Sequence, residues 1–471
     1  MDILRRRVLS GGSATVLLAA CGQNEPALTE QPPVAVAPPL PPTPPVETVD
    51  DEIAQIFLAE SFNEGASETA NNEQVASWKE IEADPDLLKT AKSTVSDVAT
   101  GKLTAAVVDD ANSPDYVRFA TPECGKDGEL CRDTFTLNDA TLRSIAQANG
   151  YMAALAGKQT VMFGLRGCAL PGDDNSSASG QAIQIREASV DHVRRRCLIG
   201  VWDTSTGNIQ VFSGSTVPNL VNMQYYIYWR AHRDGLSQVK WTLGRTMACL
   251  LPQGLHTFSV GVHLRNESAP RQQAGALLQG TKTPIMRAKN DVGFTLQDQW
   301  DPLDWEPGGS EKGVRLVGAN IHAGVNRNMP PYASKGCQTI FGWYADAATP
   351  AKLWKDFQSS LGIVVSADAE GNATFTRKGA TFPYMLTTGR DARLHAVASG
   401  DNLKLDTLRR LRLGSKGAGA IALRKFLNLE AGDTINGEAV LALLKWQKAN
   451  DLAPDGALTR QLDTDWNVGA F

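Results

Sequence analysis

The pattern of apolar and polar positions changes character twice along the chain. From Asp50 to about Gly157 apolar residues recur at helical spacing. Ile53, Ile56 and Phe57 share one face, Val75, Trp78 and Ile81 another, and Leu87, Leu88, Ala91 and Val95 a third. Asn138 is placed to cap a helix running through Leu142, Ile145 and Leu155. These signals predict a helical accessory region over residues 49–157, with no catalytic constellation in it. From about Gln159 short apolar runs bounded by turn residues take over, which is a strand pattern. Residues 160–165 form one run, and residues 197–203 lead through Thr204-Ser205-Thr206-Gly207-Asn208 into 209–212 as a hairpin. Further runs stand at 259–264, 342–344, 373–377 and 382–386, so a mostly-β domain is expected over 158–392. Beyond Leu411 the helical period returns. Ile421, Leu423, Phe426 and Leu427 mark one helix, and Val440, Leu443 and Leu444 the next. The predicted fold class is multidomain α+β, closing with a small three-helix domain over 400–471.

Length and charge narrow the picture. The 471 residues suffice for two or three domains, each with its own core. A net charge of −5 and an ordinary apolar fraction of 42% argue against a nucleic-acid binder. The first residues carry more information. Arg5, Arg6 and Arg7 make a basic start, followed by a short apolar segment over 8–20 that is rich in Gly and Ser. Leu18-Ala19-Ala20-Cys21 resembles a lipobox, in which the cysteine of a bacterial lipoprotein is lipidated. Arg5-Arg6-Arg7-Val8-Leu9 also has some likeness to a twin-arginine signal, which leaves the export route open. Residues 22–48 follow, with Pro-Pro doublets starting at 32, 38, 41 and 44. Such a stretch favours extended polyproline II over a packed core, a semi-rigid spacer between a lipid surface and the folded part. The expectation is an exported, lipid-anchored protein. Gly22 after the cysteine points to the periplasmic side of the outer membrane if the source is Gram-negative.

The candidate chemistry lies in residues 320–340. An apolar lead-in over 315–321 runs into His322, with Gly324 beyond it, then a polar loop with Pro330 and Pro331. Ser334-Lys335-Gly336-Cys337 then enters a second apolar run. A thiol becomes a useful nucleophile when an imidazole draws off its proton. Gly336 lets backbone approach a substrate closely, and amides of the turn can face a developing oxyanion. This order of residues resembles the L,D-transpeptidase (YkuD-like) family, whose histidine precedes a Ser-x-Gly-Cys turn at about this separation. The hairpin leading to Ser213–Thr216 is similar to the family's opening strands, and Pro252-Gln253-Gly254-Leu255-His256-Thr257-Phe258 is loosely similar to its Thr-Pro-x-Gly-x-Phe segment. Towards the C-terminus, Leu411-Arg412-Leu413-Gly414-Ser415-Lys416-Gly417, Trp446-Gln447 and Asp455-Gly456 stand in the order of a small three-helix peptidoglycan-binding domain. Arg424 stands where that family often has glutamine, and its Gly-Pro-x-Thr ending is reduced to Ala457-Leu458-Thr459.

The resemblance implies that Cys337 attacks a carbonyl of a peptidoglycan stem peptide, expelling D-alanine, and passes the acyl group to an amine. His322 would be the base and then the acid. Ser334 would orient His322 or line the pocket, and the amides of Gly336 and Cys337 would hold the oxyanion. The commonest family turn is Ser-His-Gly-Cys-x-Arg. Here Lys335 replaces that histidine, and Gln338-Thr339 follow the cysteine without an arginine. Arg327 is then the candidate for carboxylate recognition, with Tyr332, Lys335 and Gln338 as further substrate-binding positions. Two alternatives stand beside this reading: a peptidase or amidase passing the acyl group to water, and a non-catalytic tether of the wall. Stem peptides and, through Cys21, a membrane are the expected partners; the oligomeric state is left open.

The seven cysteines divide accordingly. Cys21 would carry lipid and Cys337 would be the nucleophile. Cys124 and Cys131 bracket a Gly-Lys-Asp-Gly loop and form the preferred disulfide; Cys168 with Cys197 is a second pairing, leaving Cys249 over. The six histidines show no His-x-x-x-His spacing, so no metal or other cofactor is expected. His256 and His263 read as packing or hydrogen-bonding residues, and no Gly-x-Ser-x-Gly elbow is present.

Overall fold

A computed structural model of the chain describes residues 130–471, apart from 173–174, 189–194, 220–249, 264–272, 285–286, 289–299, 302–317, 325–333, 335, 345–348 and 453–454. The chain divides after Glu47, and every described residue belongs to the second unit, Thr48–Phe471. The helices expected over 49–129, Cys21 with its expected lipid, Cys124, Cys249 and the side chain of Cys131 lie outside the described residues.

The strands are β1 (Leu130–Asn138), β2 (Thr160–Arg166), β3 (Cys168–Ala169), β4 (Ser177–Gly180), β5 (Ala182–Ala188), β6 (Cys197–Asp203), β7 (Ile209–Ser215), β8 (Gly254–His263) and β9 (Gln273–Gln279). After them come β10 (Arg287–Ala288), β11 (Trp300–Asp301), β12 (Ile321–Gly324), β13 (Gln338–Phe341), β14 (Trp343–Tyr344), β15 (Pro350–Ala351), β16 (Val365–Ala367), β17 (Ala373–Phe375), β18 (Thr381–Thr388), β19 (Arg410–Leu411) and β20 (Leu458–Thr459). Eight of them follow one another in the order β13-β12-β9-β8-β18-β2-β6-β7, and β7 pairs back to β13, so the sheet closes on itself. Strand β4 adds to the free stretch of β7. Closure removes the unpaired edges that an open sheet would present. Most neighbours are antiparallel, but β12–β13 and β18–β2 are parallel.

Eight helices are described: α1 (Asp139–Ala148), α2 (Met152–Leu155), α3 (Leu353–Ser360), α4 (Gly389–Val397), α5 (Asn402–Thr407), α6 (Ala418–Phe426), α7 (Gly437–Ala449) and α8 (Arg460–Trp466). Asn138 caps α1 as its sequence position predicts, its Oδ1 accepting from Thr141 N at 2.9 Å. The helix stops at Ala148, where Gly150 takes a φ of 68°, so Leu155 falls in a separate turn, α2. Among the described residues no helix is long and apolar enough to cross a membrane.

The two faces of the closed sheet carry different cores. Met162, Ile199, Phe212, Phe258, Leu277, Ile321, Ile340 and Tyr384 fill the interior together with Trp354 and Phe357 of α3. Phe163, Leu165, Leu198 and Trp202 point the other way, onto Leu142 and Ile145 of α1 and Ala392 of α4. Strand β1 belongs to this second core through Phe135 and Leu137 and pairs with β5. The sequence reading placed residues 130–157 in a helical accessory region. The alternation Thr134, Phe135, Thr136, Leu137 has instead the two-residue period of a strand, and the segment packs on the same core as β2.

The C-terminal helices enclose their own core of Leu423, Ile435, Val440, Leu443, Leu444 and Leu458. The segment before them is bonded to the sheet. Leu255 N donates to Leu413 O at 2.9 Å, and Lys416 N donates to Gly150 O at 3.0 Å. The buried Arg412 guanidinium donates to Gln253 Oε1 and stands 3.4 Å from Asp391 on α4. Burial alone would raise the Asp391 carboxyl, but the Arg412 guanidinium, with Arg410 and His395, holds it below its ordinary value. Gly414, at a φ of 85°, passes so close to Leu255 that an added Cβ would lie 2.5 Å from the leucine Cβ. Glycine is therefore required at that crossing.

The expected Cys168–Cys197 disulfide is not formed; both are buried thiols. The register pairs Cys197 with Arg166, on the face of β2 that looks inwards with Met162, whereas Cys168 packs in the cluster with Leu165 and Leu198. The two side chains leave opposite faces of the sheet, which no disulfide can bridge without moving backbone. Burial pushes both thiols up.

Candidate active site

His322 is the second residue of β12, and Cys337 immediately precedes β13. Of the strand-like run expected over 315–321, residues 318–320 are not strand, 315–317 lie outside the described residues, and β12 begins at Ile321. The parallel register pairs Ile321 with Gln338 and His322 with Thr339, and Gln338 N donates to Asn320 O at 2.7 Å. Because side chains alternate along a strand, Asn320, His322, Cys337 and Thr339 share one face, while Ile321, Ala323 and Ile340 point into the core. Cys337 is one diagonal step from His322, roughly 8 Å between Cα atoms given about 4.8 Å between strands and about 3.3 Å per residue. The structure thus puts the thiol and the imidazole on adjacent strands and on the same face.

The His322 ring has a fixed proton. Its Nδ1 lies 2.8 Å from Ala323 O. A carbonyl oxygen can only accept, so Nδ1 carries the hydrogen and Nε2 carries the lone pair, as a base requires. His322 is buried, and the Cys337 side chain is buried too at 1% exposure, its Sγ donating to Gly318 O at 3.3 Å.

The turn before the thiol departs from the expected roles. Ser334 Oγ donates to Cys337 O at 2.9 Å and accepts from Gly336 N at 3.0 Å. A serine has one proton to donate, so the Ser334 proton goes to the turn and not to His322. The Gly336 N–H is taken up by the same hydroxyl, which removes it from the expected pair of oxyanion donors. Gly336 is still needed for its backbone, at a φ of 147°. Gln338, expected at the substrate, turns into the barrel interior. Its Oε1 accepts from Tyr384 OH at 3.2 Å and its Nε2 donates to Gly336 O at 3.4 Å, so it braces the turn against β18. Arg327, Tyr332 and Lys335 lie outside the described residues.

Two residues that the sequence reading did not assign to the site reach this place: Asn320, and His263, which was read as a packing or hydrogen-bonding residue and is one. His263, at the end of β8, stacks on His322 with ring centroids 4.4 Å apart and planes inclined by 10°. Asn320 Nδ2 lies 3.1 Å from His263 Nδ1. Asn320 was legible in principle, two positions before His322 on a strand. Nothing in the spacing brings residues 263 and 322 together; the order β8-β9-β12 does that. Among the described residues no three His, Cys, Asp or Glu side chains gather as a metal site would require.

A cleft of about 900 Å³ lies elsewhere, between β8 and β18 on one wall and the segment from Leu413 to Lys416 and the start of α7 on the other. Lys158, Lys282, Lys416 and Glu438 stand around it. Among the C-terminal helices the residues singled out from the sequence bind one another. Gln447 donates to Asp455 Oδ1 at 2.7 Å and Ala457 O at 3.0 Å, and accepts from the N–H groups of Asp455 and Gly456 at 3.1 and 2.9 Å. Trp446 packs edge-on against Phe426 and Trp466. Arg424, in the position of the expected glutamine, donates to Glu430 O, Thr434 O and Asn436 Oδ1 and so ties the loop between α6 and α7.

Fold and site together define a mixed α+β protein built on a closed eight-stranded sheet, with a cysteine and a histidine on adjacent parallel strands. Set beside known proteins, the chain matches no family model, no curated protein and no solved structure.

Proposed function

We propose that the protein is a peptidoglycan-modifying cysteine enzyme of L,D-transpeptidase type, acylated on Cys337 by a stem peptide and transferring the acyl group to an amine. One observation carries the chemistry. The Nδ1–H of His322 is given to Ala323 O, so the ring presents Nε2 as a base on the face that also bears Cys337. In this reading the thiol proton passes to Nε2, the thiolate attacks the carbonyl, and the imidazolium returns the proton to the leaving amine. The thioester is then opened by an incoming amine, or by water in a peptidase or amidase. The substrate class rests on the order His322, Ser334, Gly336, Cys337 and on the C-terminal motif residues. In the same reading Cys21 carries the lipid and residues 22–48 are the spacer.

A second reading, a tether that binds wall polymer without chemistry, is favoured by the burial of Cys337 and by the separate cleft beside α7. The experiment is to incubate the full-length chain, solubilised in mild detergent, with purified wall fragments, next to Cys337→Ala. Mass spectrometry of protein and products then reads the result. An adduct on the wild type and altered fragments, both absent from Cys337→Ala, are expected, with amine-linked products marking transfer and free acids marking hydrolysis. Identical fragments from both proteins, with binding retained, would leave the tether.

A further inference from the structure

The ring stacked on His322 has a fixed proton of its own. Gln279 N donates to Asn320 Oδ1 at 2.9 Å. A backbone N–H can only donate, which identifies that amide atom as the oxygen and turns Asn320 Nδ2 towards His263 Nδ1 at 3.1 Å. His263 Nδ1 therefore holds a lone pair, and its proton is on Nε2. Leu277 pairs with Ile321, which sets Ala276 beside His322, and Gly261 pairs with Ala276. A Cβ on Gly261 would lie 2.5 Å from Leu278 Cδ1, so the Leu278 side chain packs over that glycine.

We propose that His263 is a positioning residue for the cysteine chemistry, a neutral ring stacked on His322 that favours the imidazolium formed when His322 takes the Cys337 proton. The inference rests on the proposed function, since it gives a role at the same site. A cation lying over the face of an aromatic ring within about 6 Å is attracted to it, and protonated His322 would be such a cation. Putting the proton on His263 instead would set a second N–H against the Asn320 donor, so the pair takes its proton on His322. The transfer balances: the S–H bond of Cys337 breaks, an N–H bond forms at His322 Nε2, and a thiolate faces an imidazolium. Among the described residues, those placed on this face beside His322 are His263 from β8, Ala276 from β9, Asn320 from its own segment, and Cys337 and Thr339 from the β13 side. None of these carries a fixed charge.

The test is the pH profile of Cys337 alkylation by iodoacetamide in the full-length chain, followed on the Cys337 peptide by mass spectrometry. His263→Phe keeps an aromatic face, and His263→Leu fills similar space without one. Leucine is expected to slow alkylation near pH 6 by about tenfold and to move the midpoint up by about one unit, while phenylalanine stays within about threefold of wild type. A leucine profile that superposes on wild type, or a phenylalanine profile as slow as leucine, overturns the inference. His322→Ala separates the two levels of argument. If it leaves the profile unchanged, or if the wild-type thiol resists alkylation at every pH, the proposed cysteine chemistry itself fails.

Discussion

Two turns in this molecule are held by polar side chains of their own motif, and the comparison between them is instructive. At the C-terminal turn the Gln447 amide accepts two backbone N–H groups and donates to Asp455 and Ala457, so the motif residues are bonded to one another. At the thiol turn Ser334 accepts from Gly336 and donates to Cys337 O, while Gln338 braces the turn from below. There the thiol donates to Gly318 O at 3.3 Å, and a thiol is a weak donor. The comparison teaches that most residues of a motif build the backbone that holds it. The thiol and the imidazole are set in place by that backbone.

The largest effect is expected from cutting the link between the regions that hold these two turns. Arg412→Ala leaves Asp391 buried without its guanidinium and should cost about 3–5 kcal/mol, since breaking a buried pair strands a charge. Urea denaturation followed by tryptophan fluorescence should then show the C-terminal helices melting before the barrel; a single unshifted transition would show that the two regions do not depend on this link.

Acid should act on the same junction. Burial lowers His395, bonded to Ser144 at 2.9 Å, from an ordinary 6.5 to about 4. The unfolded chain binds that proton at the ordinary value and the folded chain does not. Stability is therefore full above about pH 6.5 and falls as the pH drops towards 4, by roughly 3 kcal/mol for this group. His256, also lowered to about 4 by burial, adds a fall in the same direction. Urea midpoints taken between pH 7 and pH 4.5 check this, and His395→Gln should flatten about half of the slope.

Within the turns the effects are smaller. Gln447→Ala strands the buried partners of the Asp455 turn and should cost about 2–3 kcal/mol, read as a lower midpoint for the C-terminal transition alone. Ser334→Ala removes one acceptor and one donor and should cost about 1–2 kcal/mol, while lowering Cys337 alkylation through a looser turn. An alkylation rate unchanged by Ser334→Ala would mean that the clamp serves stability only.

Much of the fold was legible where the pattern is local. The hairpin over residues 197–215, the Asn138 cap and the two long C-terminal helices each depend on neighbours within a few positions. What escaped depends on the closed sheet. Phe135 and Leu137 declare a strand only through period two over a few residues, and their partner β5 lies some fifty positions away. The Cys168–Cys197 pairing had no spacing signal behind it and fails because the residues leave opposite faces. At the candidate site His322, Ser334, Gly336 and Cys337 were found by their order, but the division of labour among them was not. Which hydrogen bonds Ser334 and Gly336 make depends on the shape of the turn, and His263 arrives from a strand two places across the sheet.

The strand that follows the thiol is also the stave that shuts the barrel. Between β13 and β7 the seam consists of two residue pairs, Thr339 with Ser215 and Ile340 with Gly214, against six between β6 and β7. At Gly214 the backbones come so near that a Cβ would lie 2.3 Å from Thr339 O. Only the β12–β9 joint, with the single pair Ile321 and Leu277, is shorter, and a hoop breathes at its short joints. Amide protons along the seam should therefore trade with solvent sooner than those of the β2–β6 ladder, and each such opening gives a buried sulfur a moment of daylight without the barrel coming apart.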